Sequence, residues 1–287
     1  MSDNVKIGVI KLGCLGIAAL LDAIFDERAD REDLDIRGFT SGAKLDPDSC
    51  EDTVKRAIEY KPNLMLVVSP NAKLPGPTKA REMLFETKIP TISISDAPGK
   101  KAFKKKNEEG KKVDNVLEGQ GYIVIPADSM IGARREFLDP TEMITFNTDV
   151  MKVLSNTGYV RVVQKTVGKV IDAIKAGKTP EMPMSSVSAK KAVEKGGFSN
   201  PYARAKAFAA ITIAESVADI TTEGCFIEQD KDKYIPLVAA GHELMRVAAR
   251  LSDEAREIEK GSDTVLRTPH SKKGERKKKR QLLGDFE

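Results

Sequence analysis

Four short stretches of this chain carry the residue types that hold small anionic ligands. The first, Lys11-Leu12-Gly13-Cys14-Leu15-Gly16, lies between a β-branched run and a helical pattern. A glycine in such a turn lets a ligand approach the backbone, and the helix start offers N–H groups and positive dipole to an anion. The second stretch runs from Ser69-Pro70-Asn71 through Pro75-Gly76-Pro77 to Lys79 and Arg81. The third is Ser95-Asp96-Ala97-Pro98-Gly99-Lys100, and the fourth leads from Asp128-Ser129-Met130 to Arg134-Arg135-Glu136. Arginine forks suit phosphate and carboxylate. Asp96 and Asp128 serve equally well to orient polar ring atoms or to cap turns. Any one of these loops is also an ordinary Pro- and Gly-bearing turn; their convergence is the argument.

The opening turn fits neither common nucleotide loop. A P-loop needs Lys and Ser/Thr after its second glycine, whereas Gly13 leads into Cys14-Leu15. A dinucleotide fingerprint needs an acid at the end of the second strand, where this chain has Thr40-Ser41-Gly42. Ordinary NAD binding is disfavoured. Cys14, Cys50 and Cys225 are dispersed and show no Cys/His spacing, and His242 and His270 are too few and too far apart for a metal cluster; no metal site is expected. Cys14 has no nearby histidine to activate it and reads as a small packed residue.

The elements that must position these loops are strands and helices in alternation. Strands are predicted at Val5-Ile10, Leu34-Thr40, Leu64-Ser69, Thr91-Ser95 and Tyr122-Ile125, with helices near Leu15-Phe25, Ser49-Tyr60, Pro77-Glu86 and Lys100-Asn107. This is an α/β pattern: a parallel sheet of Rossmann-like βαβ units, with all four loops at the carboxyl ends of strands, where such sheets bind ligands. The second half turns mainly helical, with long patterns at Pro140-Ser155, Tyr202-Val217 and Tyr234-Lys260. The division expected is 1–139 as the ligand-binding α/β domain, 140–262 as a helical subdomain and oligomer interface, and 263–287 as a C-terminal segment with a basic tail. Glu223 to Asp230 joins two helices, and Phe226-Ile227 within it reads as a buried corner.

Composition narrows the class. The chain has 287 residues, 40% of them hydrophobic, enough for a real core, and no apolar run of bilayer length or signal pattern. A cytoplasmic protein without membrane partners is expected. The formal charge of +4 is deceptive, because Lys272 to Arg280 carries a net +6 and leaves the remainder at −2. That run reads as a solvated, partly disordered tail, and nucleic acid as a weak alternative partner.

At these same residues the chain closely resembles the coenzyme F-420-dependent methylenetetrahydromethanopterin dehydrogenases of methanogenic and related archaea. The strings that carry the likeness include Lys11-Leu12-Gly13-Cys14-Leu15-Gly16, Pro75-Gly76-Pro77-Thr78-Lys79-Ala80-Arg81, Ser95-Asp96-Ala97-Pro98-Gly99, Gly132-Ala133-Arg134-Arg135-Glu136-Phe137-Leu138-Asp139-Pro140, Glu223-Gly224-Cys225-Phe226 and Leu266-Arg267-Thr268-Pro269-His270. The resemblance implies reversible hydride transfer from methylenetetrahydromethanopterin to the deazaflavin coenzyme F-420 as a dissociable co-substrate, in methanogenic one-carbon metabolism. It also implies no metal, no bound flavin and a homo-oligomer, reported in the family as a hexamer. No residue role is carried over; loop position alone assigns the contacts. The coenzyme is expected at Lys11, Gly13, Cys14, Leu15, Gly16, Ser69, Pro70, Asn71, Ala97, Pro98 and Gly99. The pterin is expected at Pro75, Gly76, Asp128, Met130, Arg134 and Arg135, with Asp96 and Glu136 as orienting carboxylates. Two alternatives stay open: an NADP-dependent enzyme on the same pterin, and a non-catalytic nucleotide-binding oligomer.

Overall fold

In a computed structural model, which describes residues 4–287, six parallel strands form the central sheet. They are β1 (Val5–Lys11), β2 (Leu34–Thr40), β3 (Leu64–Ser69), β4 (Thr91–Ser95), β7 (Gln120–Val124) and β8 (Met184–Ser186), in the order β2-β1-β3-β4-β7-β8. The chain leaves β1 for β2 on one side and then crosses to β3 on the other. That reversal opens a crevice between β1 and β3, outside their carboxyl ends.

The β-branched runs form strands because both faces of the sheet are covered. Alternation sorts their side chains: Ile7, Val9, Leu64, Leu66 and Val68 enter one core, while Ile10, Met65 and Val67 enter another with Cys50, Val54, Ala57, Ala80 and Leu84. Helices α2 (Pro47–Glu59) and α3 (Pro75–Glu86) cover the second face. The first face is covered by α1 (Gly16–Phe25), α4 (Pro140–Thr157) and α5 (Tyr159–Lys175), with α6 (Ala189–Gly196), α7 (Pro201–Thr222) and α8 (Lys231–Gly261) packed beyond. One hydrophobic cluster runs unbroken from Val5 to Ala255. Asp139 caps α4 by accepting from the Glu142 amide at 2.9 Å, with Pro140 in the first turn, where its missing N–H costs nothing.

The fold departs from expectation in four places. Residues 100–107 are not a helix: a 3₁₀ turn at Ala97–Ala102 leads into a hairpin of β5 (Lys104–Lys106) and β6 (Lys112–Asp114). Gly110 turns this hairpin at φ +75°, and Phe103 stacks on Tyr122 at 4.7 Å, so turn chemistry and packing override the helix propensity of lysine. Strand β8 and helices α5 and α6 have no counterpart in the sequence reading. Phe226 and Ile227 do not form a buried corner; they are 64% and 60% exposed on a π-helical turn at Glu223–Ile227.

Finally, the basic segment is not a loose tail. His270 is buried, donates its backbone N–H to Glu27, and holds its ring 3.0 Å from both Glu27 carboxylate oxygens. Lys272 pairs with Glu32 at 2.7 Å, Arg276 with Asp172 at 3.3 Å, and Arg280 donates to the carbonyls of Gly197 and Thr264. Half-buried Arg161 reaches out to Thr268 and the Leu266 carbonyl. Partners remote in sequence dock the segment.

Candidate functional site

The turn after β1 is built on Gly13, whose φ of +72° favours glycine, wedged against Leu45 and Pro70. Among the described residues the amides of Gly13, Cys14 and Leu15, in the turn after β1, have no intramolecular acceptor. The next two do have one. Asp128, four residues beyond the end of β7, is fully buried and accepts from the Gly16 amide at 2.8 Å and the Ile17 amide at 3.0 Å. The start of α1 is thus capped by a carboxylate from 112 residues downstream. A Cβ on Gly16 would fall 2.5 Å from Val150 and 3.0 Å from Asp128, so only glycine permits this approach.

Burial pushes the Asp128 carboxyl up to about 7, against the pull of its two amide donors. Asp96, at the end of β4, is also buried. Its Oδ2 accepts from the Met130 amide at 3.3 Å, and its Oδ1 is buried without a partner. Burial, and then the neighbouring Asp128 charge, raise the Asp96 carboxyl well above the ordinary range. The site therefore rests on two buried acids, one spent on backbone donors and one whose carboxyl is raised by burial.

Ser95 stitches the adjacent loops: its hydroxyl donates to the Ser69 carbonyl at 2.8 Å and accepts from the Ala72 amide at 3.3 Å. Gly99 lies so close that a Cβ there would be 2.0 Å from the Ser95 oxygen. Ser69 and Pro70 are buried; Asn71, Ala97 and Pro98 are half-buried along the same rim. Ser129 donates to the Ala214 carbonyl at 2.9 Å and ties the rim to α7.

Several predicted contacts have other occupations. Asp128 has no exposed surface to offer a pterin, and the Gly16 amide is already bound to it. Gly76 is buried where α3 meets α2, its α-carbon facing the Leu45 carbonyl and Cys50; only Pro75 beside it is exposed. Arg134 donates to the carbonyls of Gly224 and Glu228 and lies 4.1 Å over the Tyr234 ring, so it clamps the π-helical turn to the loop. Arg135 is 95% exposed at its side chain and stands 3.9 Å from Glu136, itself exposed. Lys11 is 3.4 Å from Asp22, half-buried at the end of β1. Arg81 donates to the Ala72 carbonyl under the second loop, and Lys79 points to Glu51. His242 is packed between Phe137 and Phe146, and burial lowers its pKa.

A wider cleft of about 570 Å³ opens beyond β7 and β8 on the same edge, walled by Lys100, Pro126, Ser188, Phe208 and Glu215. Glu215 projects from α7, accepts from the Tyr159 hydroxyl at 3.3 Å, and is raised by burial. Sequence reading missed it. The one available signal was a lone acid within the Ala-rich stretch 203–218.

Comparison with known proteins places the whole chain among relatives. Residues 5–287 match the family model described as methylene-5,6,7,8-tetrahydromethanopterin dehydrogenase. The chain is 58% identical over 279 residues to a coenzyme F-420-dependent methylenetetrahydromethanopterin dehydrogenase of Archaeoglobus fulgidus, covering 97% of this chain and 98% of that one. It is 51% identical, with the same coverage, to the enzyme of that name from Methanothermobacter marburgensis. A solved structure of an F-420-dependent methylene-tetrahydromethanopterin dehydrogenase, in complex with methylene-tetrahydromethanopterin and coenzyme F-420, superposes with a TM-score of 0.91. It is 44% identical, and the match covers 99% of this chain and all of that one.

Proposed function

The chain belongs to the methylene-5,6,7,8-tetrahydromethanopterin dehydrogenase family, and on that premise we propose that it transfers a hydride reversibly from methylenetetrahydromethanopterin to coenzyme F-420. The observation that supports this reading best is the near full-length likeness to a dehydrogenase solved with both ligands. The chain's own residues fit such a coenzyme: three unpaired amides at Gly13–Leu15 stand at a crevice that parallel sheets use for anionic ligands.

In this reading the donors of Gly13, Cys14 and Leu15, with Lys11 beside them, hold the anionic tail of the deazaflavin. The rim formed by Ser69, Pro70, Asn71, Ala97, Pro98 and Gly99 flanks its ring. When bound, the coenzyme supplies the two-electron acceptor. The donor carbon of the pterin lies between two nitrogens, whose lone pairs stabilise the cation left behind. The protein needs no acid–base triad; it must orient two rings and exclude water from the cation. The cleft beyond β7 and β8 receives the pterin, with Glu215 as the carboxylate that faces it. Asp96 positions the Met130 amide through its Oδ2.

The division into residues 1–139, 140–262 and 263–287, a cytoplasmic location and assembly into a homohexamer belong to the same proposal. Exposed Phe226 and Ile227 on the helical side supply apolar surface for assembly, and sedimentation of the purified protein measures it. No helix among the described residues is long and apolar enough to cross a membrane. Purified protein mixed with methylenetetrahydromethanopterin and oxidised F-420 will bleach the coenzyme's visible absorbance, and NADP in parallel will stay unreduced. NADP reduction with unbleached F-420 would transfer the reading to the other coenzyme.

A further inference from the structure

The opposite edge of the sheet carries a second concave site, of about 510 Å³. Its floor is Glu181 to Met184, the residues that enter β8, and its walls are α5 and α6. Two lysine pairs face each other across it: Lys165 and Lys169 from α5, Lys191 and Lys195 from α6. Each pair is spaced i,i+4, the spacing at which like charges on a helix repel. Among the described residues no carboxylate forms an ion pair with any of these four. Lys191 donates to the Ser185 hydroxyl at 2.9 Å, and Glu181 is the one acid in the wall.

The docked C-terminal segment adds to the same field. Lys195, Lys169, Arg276 and Lys278 all bear on Lys165 and lower its pKa. Arg276 lies against Gly168 in the middle of α5, where a Cβ would come 3.1 Å from its guanidinium. A glycine inside a helix costs about 1 kcal/mol relative to alanine, and here it gives Arg276 room to lie against the helix that carries Lys165 and Lys169. Four lysines thus line one concavity that is within the volume range of small-ligand sites, with Arg276, paired to Asp172, and Lys278 near enough to act on Lys165.

We propose that this groove binds a compact polyanion, a small molecule bearing two or more phosphoryl groups. The lining has no aromatic side chain on which bases could stack, which argues against a nucleic-acid strand. It lies on the sheet edge away from the coenzyme crevice, so it is a separate site and does not depend on which reaction the crevice serves.

The test uses the full-length protein and inorganic tripolyphosphate as probe, titrated by calorimetry at ionic strength held constant with potassium chloride. The expected result is saturable binding at one equivalent per chain and a rise in the thermal midpoint. The double variant Lys165→Gln/Lys195→Gln, altered only at exposed positions, is expected to fold, with an unliganded midpoint equal to or above that of the parent. Its affinity for tripolyphosphate should fall by about tenfold or more. Orthophosphate should bind at least about tenfold more weakly than tripolyphosphate, and an added monophosphodiester such as the coenzyme should not compete. Equal binding by the double variant, or a midpoint shift reproduced by potassium chloride alone, would overturn the site. So would failure of tripolyphosphate to bind together with a changed sedimentation mass in the variant, which would make the groove a contact between copies of the chain.

Discussion

The crevice between β1 and β3 and the cleft beyond β7 open on one edge of the same sheet, yet they are built from different materials. The crevice is backbone: Gly13 in a left-handed turn, three unpaired amides, and an α1 start capped by Asp128. The cleft is side chain: Lys100, Phe208 and Glu215, contributed by elements that meet only in the folded protein. Backbone donors suit an anion of fixed shape and tolerate almost no change in the turn. Side-chain walls suit a flat heterocycle and can be altered one atom at a time. The difference separates two binding tasks that a single active site has to perform together.

Removing the support under the crevice should have the largest effect. Asp128→Ala leaves the buried donors of Gly16 and Ile17 without partners, and about 2 to 4 kcal/mol of stability should be lost, read from the denaturant midpoint. Asp128→Asn keeps the shape and isolates the charge. Because the folded carboxyl is raised from 3.8 to about 7, the stability it contributes is full below about pH 4 and is lost as pH rises toward 7. The stability of the protein minus that of Asp128→Asn should therefore fall from pH 4 to 7; a signed difference that rises would contradict the burial argument.

Gly13→Ala forces a side chain into a left-handed turn at a cost of about 1 to 2 kcal/mol. It should raise the coenzyme KM while leaving the pterin KM within roughly twofold, since about 0.5 kcal/mol separates an indirect effect from noise. Glu215→Gln should do the reverse, lowering kcat/KM for the pterin about tenfold, or about 1.4 kcal/mol. If Glu215→Gln moved the coenzyme KM instead, the assignment of the two cavities would have to be exchanged. The smallest effect belongs to Arg135→Ala: a side chain 95% exposed should leave both KM values within roughly twofold.

The strands were legible because each is a β-branched run bounded by turn residues, and the observed β1, β2, β3 and β4 begin where those runs begin. The loops at their carboxyl ends were legible for the same reason, since parallel topology alone puts them on one edge. Side-chain roles were not. Asp128 looks like any loop acid until its partners, 112 residues away, are known. Arg134 looks like an anion ligand until Gly224 and Glu228 occupy it. Strand β8 has three residues, two of them serine, too short for alternation to register. The hairpin at Lys104–Asp114 was hidden by lysines that favour helix in isolation.

The latch between His270 and Glu27 imposes an order on the birth of the molecule. Glu27 and Glu32 are made early, but His270 and Lys272 follow about 240 residues later. At synthesis rates of about 5 to 20 residues per second, the corner between α1 and β2 waits roughly 10 to 50 s for its partners. During that interval the sheet can pair its first strands while this corner stays open to proteases and chaperones, and only a chain translated past Lys272 can shut it.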